Sequence, residues 1–200
     1  SPLEAPQELH SRVLVGLKLD SDLNVVAPFY RSVSKKVEPL EFLFDRSVQR
    51  AVAADRRGED PVIVSRLYGQ AGRQTQSTQT QARMFFDRAR LLEQSGRVGE
   101  SRVALDEVAS KYGNVRDPWG FRMEDLVSLF RAEGRMTQNP LVGAEDLRDL
   151  VDRLMGRRWA IGMGGEGAVA RRALSRLEPF ADTEWVAATR ERIDDRMRML

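Results

Sequence analysis

The amino-acid sequence predicts an all-α fold preceded by an extended N-terminal arm. Three observations carry that prediction. Beyond residue 39, apolar side chains recur at i, i+3 and i+4, the period of a helix face. Glycine and proline then cut the chain into pieces of helical length. No convincing run of paired strands follows residue 38. Residues 1–38 read differently. Pro2, Pro6 and Pro28 punctuate them, and Val13, Val15, Leu17 and Leu19 alternate with Leu14, Gly16 and Lys18 in an extended pattern. One short helix is expected near Pro6–Leu14. The arm is too poor in apolar residues for a core of its own, so it is expected to lie on this domain or on a neighbour. The division is an arm at 1–38 and an all-helical domain at 39–200.

The helices follow in order. Leu40, Leu43, Phe44, Val48, Ala51 and Val52 trace one apolar face, and Gly58 supplies a stop. Asp60-Pro61 offers an N-cap followed by proline at the first helical position, opening a helix through Leu67 and Tyr68 that Gly69 and Gly72 are expected to end. The polar stretch Gln70 to Gln81 is either a flexible loop or a capping segment in which Ser77 or Thr78 starts the next helix. Ala82–Ser95 and Glu100–Tyr112 are amphipathic helices around the turn Gly96-Arg97-Val98-Gly99. A break with Pro118 spans Asn114 to Gly120. Helices at Met123–Ala132, Ala144–Met155, Ala168–Leu177 and Thr183–Met199 complete the chain, separated by Gly134, Asn139-Pro140, Gly156 and Pro179.

Ala82 to Gly113 rises above ordinary amphipathicity. Two helices of similar length meet at a short glycine turn, so each can lay its apolar stripe on the other. Phe85, Ala89 and Leu92 on the first helix face Ser101, Leu105 and Val108 on the second, with small Ala89 and Ser101 allowing close approach. This order of large, small, large, then small, large, small resembles a tetratricopeptide repeat unit. Arg88 departs from it, standing where that family prefers an apolar residue, and Gly113 stands where proline usually closes the unit. Ser95–Val108 is similar to the second half of a pentatricopeptide unit. The resemblance implies a helical bundle or a short, irregular array of such hairpins. Gly72-Arg73, Gly96-Arg97 and Gly134-Arg135 recur at expected helix ends, without the fixed period of a regular solenoid.

Composition removes much chemistry. The 200 residues hold no cysteine and one histidine, so a thiolate nucleophile, a Cys-bound zinc and a His-based metal cage are excluded. His10, in the arm, reads as a surface residue rather than a base. Four of the 32 basic residues are lysine, which leaves 28 arginines. With 30 acids interspersed among them, the chain lacks the positive block of a nucleic-acid footprint. No uncharged apolar run approaches the roughly 18–20 residues of a transmembrane helix. No cofactor is expected. The first residue is Ser1 rather than Met, which fits processing on import into an organelle such as the mitochondrion, or a tag-cleavage scar; otherwise a cytoplasmic location is expected.

Gly162-Met163-Gly164-Gly165-Glu166-Gly167 matches G-x-G-x-x-G ahead of a helix, the arrangement in which backbone N–H groups cradle a phosphate. Arg157, Arg158, Gly164, Gly165, Arg171 and Arg172 are the candidate anion contacts. Too little chain surrounds the motif for a dinucleotide domain, so a connector between helices is the leading reading and a nucleotide or anion site the alternative. The acid pairs Glu59-Asp60, Glu124-Asp125 and Glu145-Asp146 are placed at helix starts, and Asp194-Asp195 on a solvated face. Trp119, Trp159 and Trp185 stand near helix boundaries as anchors. Trp185, Met197 and Leu200 on the last helix are candidate partner contacts. Together these readings point to a non-catalytic accessory or scaffold subunit of a larger protein complex, with an RNA-associated helical-repeat protein as the alternative.

Overall fold

The computed structural model describes residues 12–19, 25–33, 45–159 and 165–199. It divides into two units, Ser1–Leu40 and Glu41–Leu200. In the first, β1 (Arg12–Leu19) and β2 (Val25–Val33) pair antiparallel from Arg12 opposite Val33, with an irregularity between Lys18 and Leu19. The extended pattern thus folds back on itself instead of running out as a bare arm. The short helix expected near Pro6–Leu14 is corrected where it is described, since Arg12–Leu14 belong to β1; its earlier residues lie outside the described ones.

The second unit is all-helical. Among the described residues it comprises α1 (Arg46–Arg56), α2 (Pro61–Gln74), α3 (Thr78–Gln94), α4 (Val98–Tyr112), α5 (Met123–Gln138), α6 (Pro140–Gly156), α7 (Gly165–Leu177) and α8 (Thr183–Arg198). Side chains close the free N–H groups where several of these helices begin. Asp45 accepts from Ser47 N–H at 2.8 Å, Asp60 from Val62 N–H at 2.7 Å, and Asp182 from Glu184 N–H at 2.8 Å. Ser77 Oγ accepts from Thr80 N–H at 3.3 Å, so the capping alternative holds for the Gln-rich stretch. Proline occupies the first turn of α2 and of α6.

Three expected stops are instead packing positions. Helix α2 runs through Gly69 and Gly72 to Gln74, because the α3 side chains need those bare surfaces. A Cβ on Gly72 would lie 2.9 Å from Phe85 Cε1, and one on Gly69 would lie 3.1 Å from Arg88 Cδ. Helix α5 likewise continues through Gly134 to Gln138, with the Glu93 carboxylate against that glycine. Accordingly α6 starts at Pro140, earlier than expected, and Glu145-Asp146 falls inside it rather than at its start.

Successive helices pack on one another in order. The broadest contact joins α2 to α3, and the sparsest joins α4 to α5, which the long connection Gly113–Arg122 holds apart. Contacts also link α3 to α5 and α5 to α7, so the first helices of the hairpins α3–α4, α5–α6 and α7–α8 touch. Met84, Leu92, Val108, Met123, Leu147, Leu150, Leu154, Leu177 and Ile193 are fully buried among them. None of the helices among the described residues is long and apolar enough to cross a membrane.

Candidate functional site

The α3–α4 hairpin places its expected contact residues as follows. Ala89, Leu92, Ser101, Leu105 and Val108 are buried, and Phe85 is half-buried, stacked on Tyr112 with ring centroids 6.1 Å apart. Gly96 takes a left-handed φ of 77° at the turn, and Arg97 N–H closes it on Leu92 C=O at 2.9 Å. Ser101 donates to Glu93 across the hairpin at 3.2 Å. Arg88, the misfit in the repeat pattern, lays its stem along Gly69, so a long cationic side chain does apolar packing there.

Arginine builds the interior polar contacts. Arg83 donates from Nε to Asp87 at 2.9 Å and from Nη1 to Asp117 at 3.0 Å, while its guanidinium lies 4.6 Å from the Trp119 ring centroid. Asp117 Oδ1 also accepts the Trp119 and Phe121 N–H groups, each at 2.9 Å, which ties the Gly113–Arg122 connection to α3. Arg90 extends the chain of charges to Asp55, which accepts from the Tyr68 hydroxyl at 3.0 Å. All three tryptophans carry an arginine: Arg83 on Trp119, Arg148 on Trp185 at 4.7 Å, and Arg196 on Trp159 at 5.4 Å. A planar, permanently charged fork does this better than an ammonium, which gives the arginine bias a structural use.

Burial sets the proton affinity of this network. Desolvation pushes the Asp117 carboxyl from an ordinary 3.8 up to about 6, although Arg83 and the two N–H groups pull the other way. Burial acts the same way on Asp125, raising its carboxyl against the pull of Arg157. Between the two Asp117 values the folded state therefore holds a proton that the unfolded chain has lost. Stability falls as pH rises through that window, by about 3 kcal/mol over some two units from this group. We expect the stability difference between the wild type and Asp117→Asn to narrow by that order from pH 4 to pH 7, measured by urea unfolding. A gap that stays constant or widens would contradict the assignment.

Gly165, Glu166 and Gly167 form the first turn of α7 and are buried, so the helix expected from Ala168 starts three residues earlier; Gly162 to Gly164 lie outside the described residues. A Cβ on Gly165 would fall 2.6 Å from Gly120 O, and one on Gly167 would fall 2.0 Å from Met197 Sδ. These glycines let the 113–122 connection and α8 approach. The candidate anion contacts are mostly engaged with acids. Arg157 pairs with Asp125 at 3.0 Å, Arg171 with Asp194 at 2.7 Å, and Arg172 with Glu133 at 2.7 Å; Arg158 is exposed, and Gly164 lies outside the described residues. Glu166 pairs with Arg116. Glu166 Oε2, Asp125 Oδ2 and Arg122 Nε, electrostatic neighbours, are buried without a hydrogen-bond partner. Among the described residues no group of three acids or histidines is arranged to hold a metal. Of the candidate partner contacts, Trp185 is half-covered by Arg148, Met197 is half-buried against Gly167, and Leu200 lies outside the described residues, as does His10.

One surface feature remains. Where α4 and α5 stand apart, a cleft of about 440 Å³ opens, lined by Glu93 from α3, Val98, Arg102, Leu105 and Asp106 from α4, and Arg131, Gly134, Arg135 and Gln138 from α5. Val98 is 40% and Val103 68% exposed on α4, and α6 begins beyond Gln138 with Leu141 71% exposed. Of these three, Val98 lines the cleft, and Val103 and Leu141 stand outside its lining. Sequence reading missed both the Arg83–Asp117–Trp119 node and this cleft, because each joins residues from separate elements.

Comparison with protein-family models, with curated proteins and with solved structures gives no match.

Proposed function

We propose that this chain is a non-catalytic accessory or scaffold subunit of a larger protein assembly, housed in an organelle such as the mitochondrion. It binds other subunits through its helical surfaces and its N-terminal unit. The observation that carries the reading is the α4–α5 cleft, open to solvent and lined by Val98, Leu105 and five charged side chains. The stacking of α3, α5 and α7 supports an array of tetratricopeptide-like hairpins, a scaffold that offers one continuous face to partners. The engagement of Arg157, Arg171 and Arg172 with acids of the chain weighs against the anion-binding alternative. The test is the size of the native species. Gel filtration of a gentle extract at endogenous level is expected to show the chain in a complex well above its own mass, in an organellar fraction. Elution as a free monomer would overturn the subunit reading.

A further inference from the structure

The cleft between α4 and α5 has a charge pattern that selects among partners. Three arginines, Arg102, Arg131 and Arg135, face two acids, Glu93 and Asp106. Arg131 pairs with Asp106 and Arg135 with Asp146, both partly exposed pairs that an incoming carboxylate can exchange into. Arg102 is exposed and has no acid or ring partner among the described residues. Val98 and Leu105 supply the apolar part of the wall. A continuous polyanion such as an RNA backbone meets Glu93 and Asp106 at close range and is disfavoured. A polypeptide that alternates carboxylates with apolar side chains fits both halves of the lining.

We propose that this cleft takes a short acidic segment of a partner polypeptide. Its carboxylates meet Arg102 and Arg135, and an apolar side chain rests on Val98 and Leu105. The proposal rests on the subunit reading above and gives that partner its chemistry.

The probe is a phage-displayed library of random 12-residue peptides panned on the full chain. The expected winners combine Asp or Glu with Leu, Ile or Phe, weaken with added salt, and lose at least tenfold in affinity for Arg102→Glu. Because Arg102 is exposed and has no partner among the described residues, that variant keeps its fold, which an unchanged thermal midpoint verifies. Val98→Asp is expected to weaken the same peptides. Winners without acidic enrichment, equal binding to Arg102→Glu, an absence of binders, or preferential binding of a 20-nucleotide single-stranded RNA would each overturn the proposal. Expressing Arg102→Glu in the native source separates the two claims. Entry into an unchanged assembly sinks the cleft proposal and leaves the subunit reading standing, whereas a wild-type chain found as a free monomer sinks the subunit reading itself.

Discussion

Replacing Arg83 by methionine is expected to lower stability by about 3–5 kcal/mol at pH 7, the scale for removing one partner of a buried ion pair. The substitution keeps much of the stem's volume, so the loss is electrostatic rather than a packing void. Asp117, whose side chain is fully buried, would keep its two backbone N–H donors but lose the cation at 3.0 Å. Asp87 would lose its closest partner and keep only Arg90 at 3.7 Å. Trp119 would lose the guanidinium over its ring. For a chain of this size the midpoint of thermal unfolding should fall by on the order of 10 °C. Two further results identify the cause. Without Arg83 the Asp117 carboxyl is harder still to ionise, so the cost of Arg83→Met should shrink as pH falls toward 4. The double variant Arg83→Met/Asp117→Asn should be more stable than Arg83→Met alone, since the orphaned charge is gone. A loss that is independent of pH and additive in the double variant would mean that packing, not charge, is what Arg83 contributes.

Trp159→Ala should cost a similar amount, about 3–5 kcal/mol, for a different reason. The indole is 6% exposed, and its N–H donates to Leu154 C=O at 2.8 Å, satisfying a carbonyl in the last turn of α6. Arg196 of α8 lies over the ring and donates to Arg157 C=O at 2.8 Å, so one side chain ties α8 to the end of α6. Removing the indole opens a void at a buried position. Trp159→Phe retains most of the apolar area and should cost about 1–2 kcal/mol, chiefly the lost hydrogen bond and the weaker ring. Native-state hydrogen exchange should place the loosening at the C-terminal end of α6 and in α8. An Ala variant within 1 kcal/mol of wild type by urea unfolding would remove Trp159 from the anchors.

What could be read in the sequence follows from which interactions are local. Helix existence and several starts were legible, because caps such as Asp60 and Ser77 act on N–H groups two or three residues away. Glycine was read by its local preference for turns. That is right for Gly96 at φ 77° and wrong for Gly69, Gly72 and Gly134, where a neighbouring helix decides. The same holds in the glycine-rich segment, where Gly165 and Gly167 make room for Gly120 and Met197, which lie 45 and 30 residues away in sequence. Arg83 and Asp117 are 34 residues apart, and neither stands out in its own segment. The cleft exists because one connection holds two consecutive helices apart, and no periodicity encodes that.

The account stands on a partner docking at the α4–α5 side of the helical unit. Val98, which lines the cleft and is 40% exposed, is the place to test it. Benzoylphenylalanine placed at Val98, in the chain expressed at endogenous level, should give one discrete light-dependent adduct with another protein. The same group at Glu191 on α8, also exposed, should give little. No adduct at Val98, in a chain that migrates free of other proteins, would contradict docking at this cleft.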